Sequence, residues 1–274
     1  MMFRSRPLWR GLVCLALSLW PAMARADAPA ICTLITDIDT GTTLLEQGDC
    51  DSRATPASTF KVPLALIGYA EGLLTDADTP VMRWREGDPD WGGAAWRRDT
   101  GPAEWMRHSV VWYSQRLAHD LGARRLTEHA RALGYGNADF SGDPGQNNGL
   151  DRAWISSSLR ISPREQARFM TRLVTGALPH GPDAIGKTLA LLDPIMAGGW
   201  TVRGKTGSAY PRRADGRFDY ARGWGWFVGW AERDGQRLAL VRLTQATQRS
   251  KTPRGIATRD GLLAEIPALI DAAR

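Results

Sequence analysis

The sequence predicts a mixed α/β fold of the α+β type: one antiparallel sheet assembled from the N- and C-terminal segments, flanked by helices, with a mostly helical subdomain at about residues 75–195. Three observations predict it. Strand-like runs lie near both ends of the chain, at Ile31–Asp37 and Thr43–Gln47, and again at Trp200–Ala209, Trp224–Trp230 and Leu238–Leu243. Helical spacing of apolar residues fills the stretch between them. A complete helix-start signal, Ser162-Pro163-Arg164-Glu165, stands inside that stretch. Sheet and helices stacked in layers leave a cleft between them, the natural place for a site.

Taken from the start, residues 1–26 read as a leader. Arg4, Arg6 and Arg10 precede an apolar run from Gly11 to Trp20, too short to span a bilayer, and Ala24-Arg25-Ala26 offers a small-residue cleavage site. The remaining chain, 27–274, is expected to be one exported catalytic domain in the periplasm, with no membrane span. The whole sequence carries 35 basic and 29 acidic residues; four of the arginines lie in the leader, so the rest is nearly balanced. That balance gives no argument for nucleic acid or anionic lipid as a partner.

Cys32 and Cys50 remain after the leader, in an oxidising compartment. Asp39-Thr40-Gly41-Thr42 supplies turn chemistry, and a hairpin centred on Gly41 sets the two cysteines opposite each other. A disulfide there would stabilise by about 3 kcal/mol on the loop-entropy model. Two buried free thiols are the alternative.

Ala57 to Leu74 then reads as a helix, and Asp76 to Thr100 as irregular. Helical patterns follow at Ala103–Leu121 and Arg124–Leu133, then a polar loop rich in Gly, Asn and Asp at 134–151. The capped helix runs from Pro163 to about Thr175, where Gly176 stops it, and another covers Ala184–Leu192. Asp234-Gly235 is a tight-turn signal joining the last two strands. A final helix, about Arg259–Ala273, is bent or interrupted at Pro267.

Two motifs carry chemistry. Ser58-Thr59-Phe60-Lys61 puts a hydroxyl and an amine on one face of a helix start. Such a lysine accepts the hydroxyl proton only when it is unprotonated or chemically modified, because an ordinary ammonium is no base at neutral pH. Lys205-Thr206-Gly207 presents a cation and a hydroxyl along a strand, with a glycine that lets a substrate approach the backbone. Together they are the S-x-x-K and K-T-G pair of penicillin-recognising enzymes.

A rival reading takes Gly199 to Thr206 as a phosphate-binding loop. Bulky and β-branched residues fill the stretch, and Gly207 and Pro211 follow where a helix must start, so the context is wrong. His108, His119, His129 and His180 lack zinc-like spacing, and there is no G-x-S-x-G elbow for a Ser–His hydrolase.

Most of the chain after the leader resembles the class D, or oxacillinase-type, serine β-lactamases. Pro56 to Pro63 resembles their nucleophile segment, Ser109-Val110-Val111 their S-x-V motif, and Tyr135-Gly136-Asn137 their Y-G-N motif. Trp154 with Ser158 to Ser162 resembles the segment of their active-site tryptophan. Lys205-Thr206-Gly207, Trp226 to Trp230 and Arg254 follow in the same order. Class A enzymes would carry Ser-Asp-Asn in place of Ser109-Val110-Val111.

The resemblance implies the penicillin-recognising serine enzyme fold and hydrolysis of β-lactams, with resistance as the consequence. It implies Ser58 as nucleophile and Lys61, converted by carbon dioxide to a carbamate (N6-carboxylysine), as general base. It implies Ser109 as proton relay and Trp154 as the indole holding the carbamate. Val111, Lys205, Thr206, Gly207, Ser208 and Arg254 would contact substrate; Thr206 and Arg254 would bind its carboxylate, and the Ser58 and Ser208 amides the oxyanion. Tyr135-Gly136-Asn137 is read as structural. No metal or other cofactor is implied, the partner is a small-molecule β-lactam, and the chain is a monomer or homodimer. An acylated receptor or penicillin-binding domain, sharing the fold and motifs, is the competing reading.

Overall fold

In the computed structural model, residues 30–272 are described, so the expected leader lies outside the described residues. The strands are β1 (Ala30–Asp37), β2 (Thr43–Gly48), β3 (Pro194–Ala197), β4 (Trp200–Ala209), β5 (Trp224–Arg233) and β6 (Gln236–Gln245). The helices are α1 (Lys61–Ala70), α2 (Pro102–His108), α3 (Val111–Leu133), α4 (Gly149–Arg152), α5 (Pro163–Val174), α6 (Pro182–Ala190) and α7 (Arg254–Ala272). All six strands form one antiparallel sheet in the order β2-β1-β6-β5-β4-β3. Both ends of the chain therefore meet in the middle of the sheet, where β1 pairs with β6.

Period-two alternation gives the sheet two apolar faces. Trp226, Val228, Trp230, Val241 and Leu243 face the larger core, shared with α1, α3 and α5. Phe227, Ala231, Leu238 and Leu240 face the other way, onto Leu262, Ile266 and Ile270 of α7. Because both faces are covered, β5 shows no polar alternation in its middle.

The cysteines form the disulfide, but not across the expected register. Cys32 pairs with Gly48, and β2 ends there. Gly48 has φ +81°, and a Cβ on it would collide with the Ile31 carbonyl. This left-handed turn, held by the Asp49 amide donating to Ile31 O at 2.7 Å, folds Cys50 back over Cys32.

Helix boundaries moved where tertiary contacts compete. The segment predicted as one helix from Ala57 to Leu74 is a 3₁₀ turn (Ala57–Phe60) followed by α1, which ends at Ala70. Leu74 is buried because it folds back, its amide donating to Gly68 O at 3.0 Å. The pattern predicted as one helix at 103–121 breaks at Ser109, while Arg124–Leu133 continues from it as α3 across a kink at Gly122. The capping box on α5 is complete, with Ser162 Oγ accepting from the Glu165 amide and Glu165 accepting from the Ser162 amide. The Lys205-Thr206 pair sits mid-strand in β4 and opens no helix, so the phosphate-loop reading fails on its context.

Candidate active site

Ser58 stands on the 3₁₀ turn, half-buried, immediately before α1. Residues three apart eclipse on such a turn, which stacks Ser58 and Lys61 on one side. The residue before the nucleophile, Ala57, has φ +51°, a conformation that a non-glycine residue holds only when its surroundings impose it. The Ala57 amide donates to Trp154 O at 2.9 Å, and Thr59 Oγ1 donates to Pro56 O at 2.7 Å. Gln166 of α5 donates to Thr59 Oγ1 at 2.9 Å and to Tyr135 Oη at 3.2 Å. Phe60 packs among Tyr135, Phe140 and Trp154.

Lys61 is 1% exposed. Its Nζ lies 2.8 Å from Ser114 Oγ and above the Trp105 ring. Trp105 Nε1 donates to the same hydroxyl at 2.9 Å. Burial first, and the charge of Lys205 second, push the Lys61 amine well below the ordinary lysine range. Lys61 Nζ and the Trp105 indole both donate to the lone pairs of Ser114 Oγ, whose own proton points to Val110 O at 3.5 Å.

Ser109 caps the end of α2 with φ +56°. This left-handed residue, absent from any amphipathic pattern, is what separates α2 from α3 and frees the Ser109 hydroxyl. Lys205 Nζ donates to Ser109 Oγ at 2.5 Å and to Thr206 O at 3.1 Å. Burial, then the charge of Arg259, lowers the Lys205 amine to about 7. Val111, buried, opens α3 beside Ser109.

Gly207 also packs against the nucleophile turn. A Cβ on it would lie 2.8 Å from Pro56 O and 3.2 Å from Ala57 Cβ. The missing side chain lets β4 press directly on the nucleophile turn. Ser208 Oγ accepts from the Gly255 amide at 2.9 Å, tying β4 to α7. Thr206 pairs with Phe227, on the α7 side of the sheet, while Lys205 pairs with Val228 on the other.

The structure thus brings Ser58, Lys61, Ser109, Val111, Lys205 and Gly207 around one junction. Trp154 meets it through its carbonyl and by stacking on Phe60. Arg254 starts α7 next to Ser208, with its Cγ over Gly225 of β5, and lines a pocket with Thr244 and Arg242. Trp105 and Ser114 are the residues the sequence reading missed. A serine inside the apolar run Val110-Val111-Trp112-Tyr113-Ser114 was a signal; its meeting with Trp105 depends on the break at Ser109. Tyr135 and Asn137 hold structure. Asn137 Nδ2 donates to Ser158 O at 2.9 Å, and its Oδ1 accepts from the Arg160 amide at 2.9 Å.

A serine and a buried lysine on one turn, faced by a second serine–lysine pair across a strand, define a penicillin-recognising serine enzyme. The family model for the penicillin binding protein transpeptidase domain matches residues 31–266. Beta-lactamase OXA-9 of Klebsiella pneumoniae is 40% identical over 241 residues, which cover 87% of this chain and 88% of that protein. The crystal structure of the OXA-427 class D β-lactamase is similar with a TM-score of 0.81 and 41% identity, over 90% of this chain and 100% of that one. The chain belongs to the class D β-lactamase family. The C-terminal domain of the Bacillus licheniformis BlaR penicillin-receptor shares the fold, with a TM-score of 0.71 at 23% identity over 84% of this chain and 88% of that one.

Proposed function

We propose that this protein hydrolyses the amide bond of penicillins and related β-lactams through an acyl-enzyme on Ser58, with Lys61 as general base, and so confers resistance. The observation that carries the reading is the Lys61 amine, buried without a carboxylate among its influences and hydrogen-bonded to Ser114. Burial disfavours the ammonium form, which favours an amine able to take a proton. Ser58 Oγ gives its proton to that base and bonds to the lactam carbonyl carbon. The carbon–nitrogen bond then breaks, and Ser109, fed by Lys205, supplies the proton that the nitrogen takes. The proton taken up by Lys61 then passes back to the Ser109–Lys205 pair, which gave one to the nitrogen, and the amine is neutral again; water attacks the ester, gives its proton to Lys61, and Lys61 returns it to Ser58 Oγ as the ester bond breaks.

The pocket also suits a lysine carbamate. A neutral amine adds carbon dioxide, and Ser114 and the Trp105 and Trp154 indoles are the groups that would hold the product. Bound there, it would supply an anionic oxygen base. The backbone amides of Ser58 and Ser208 serve the oxyanion, and Val111, Thr206, Gly207 and Arg254 complete the substrate contacts. Export to the periplasm belongs to the same reading, and the Cys32–Cys50 disulfide supports it. Among the described residues no helix is long and apolar enough to cross a membrane.

The purified protein mixed with a chromogenic cephalosporin tests this. Sustained turnover, accelerated by bicarbonate, is expected. A single stoichiometric burst would make the chain a receptor-like acyl acceptor instead. Turnover that persists in Lys61→Ala would remove Lys61 from the mechanism.

A further inference from the structure

We propose that a pocket under the first turn of α7, on the sheet face opposite Lys205, binds a small oxyanion and holds Arg254 there, away from the cleft. The cavity is about 250 Å³ and is lined by Thr33, Arg242, Thr244, Arg254, Thr258 and Glu265, among others. It is a built site. Arg242 is 6% exposed; its Nε donates to Thr33 Oγ1 at 3.0 Å and its Nη2 to Glu265 at 2.7 Å. Thr33 therefore accepts from Arg242 and keeps its own proton to donate. Arg254 Nε is buried and, among the described residues, has no hydrogen-bond partner. Two arginines line the pocket with one carboxylate, Glu265, which pairs with Arg242 and is half-exposed. Among the described residues the pocket has one more basic than acidic side chain and an unused donor, which a planar or tetrahedral oxyanion satisfies with two oxygens.

Gly225 makes the arrangement possible. A Cβ there would lie 2.6 Å from Arg254 Cγ, so the arginine crosses β5 only because this position is glycine. The backbone beside it belongs to the other site. The Gly255 amide donates to Ser208 Oγ, and a Cβ on Gly255 would lie 2.5 Å from Gly207 O. Arg254 therefore stands next to the Lys-Thr-Gly strand while lining the pocket on the opposite face. An anion in the pocket and a substrate carboxylate in the cleft compete for one side chain. The competition rests on the proposed β-lactamase reading; the pocket itself does not.

Phosphate and acetate are titrated separately, at constant ionic strength, into protein whose arginine Nε–H signals are followed by NMR. Saturable movement of the Arg254 signal with either anion is expected, and the one that saturates names the source as phosphate or carboxylate. Glu265→Gln, which removes the competing carboxylate from a half-exposed position, should tighten binding several-fold, and Arg254→Ala should abolish it. Absence of saturation with both anions, or binding indifferent to both variants, overturns the site. In parallel, the anion at its half-saturating concentration should raise KM for a penicillin about twofold with kcat unchanged. Binding without a rise in KM overturns the competition. A protein that turns over no β-lactam would overturn the enzymatic reading while the NMR titration still reports on the pocket.

Discussion

Replacing Ser114 by alanine removes the hydroxyl that Lys61 and Trp105 share. Both are nearly fully buried, so neither finds water in exchange. Two buried groups left unsatisfied cost about 1–3 kcal/mol each, and partial relaxation brings the expected loss to about 2–4 kcal/mol. For a domain of this size each kcal/mol lowers the melting temperature by about 2–4 °C, so a drop of about 5–15 °C is expected. Turnover should fall as well, because the amine loses the partner that aims it; one such hydrogen bond, at about 1–1.5 kcal/mol, corresponds to about tenfold. Thermal melts and chromogenic-cephalosporin kinetics read the two effects. Trp105→Phe keeps the ring but removes the N–H, and the double variant should show a coupling of about 0.5–3 kcal/mol with Ser114→Ala. A Ser114→Ala protein with wild-type melting and turnover, or strictly additive losses in the double variant, would refute the three-group arrangement.

Gly207→Ala drives a methyl into the Pro56 carbonyl and Ala57. Overpacking should cost about 1–3 kcal/mol in urea melts, while displacement of the nucleophile turn should lower kcat about a hundredfold; unchanged kcat would contradict the internal packing role. Lys205 has a folded-state value of about 7 against an ordinary 10.5. Between those values the unfolded chain holds a proton that the folded chain lacks, so this group makes stability rise with pH there, and below about 7 its burial penalty is constant. In Lys205→Met the slope of unfolding free energy across that window should be smaller by up to about 1.4 kcal/mol per pH unit, and equal slopes would argue that the amine is not desolvated. Reducing the Cys32–Cys50 bond, or replacing both residues by serine, should cost about 3 kcal/mol in denaturant melts without abolishing turnover. Ser162→Ala should cost about 1 kcal/mol through loss of the α5 cap, with kcat unaffected, since the cap lies at the helix start and not at the nucleophile.

Local chemistry was readable residue by residue. The cap on α5 depends only on Ser162, Pro163 and Glu165, neighbours along the chain, and it formed as read. The tight turn at Asp234-Gly235 and the strand Trp200–Ala209 likewise rest on nearby residues. The short edge strand β3 was missed because Pro194–Ala197 is only four residues and pairs with a single neighbour. The last helix begins at Arg254 rather than Arg259 because docking of Gly255 on Ser208 extends it through residues of poor helical preference.

By itself the sequence determined which atoms could react: a hydroxyl and an amine one turn apart, and a second lysine on a distant strand, since those follow from spacing and chemical type. Tertiary structure alone decided the state of those atoms. Whether Lys61 is charged depends on burial and on Lys205, which lies far away along the chain. Whether Ser109 meets Lys205 depends on a left-handed residue that breaks a helix its own sequence would continue. Why Gly207 is glycine, and where Arg254 points, depends on surfaces pressed together across the fold. Proton affinity and steric fit belong to the surroundings of a group, and folding is what supplies them.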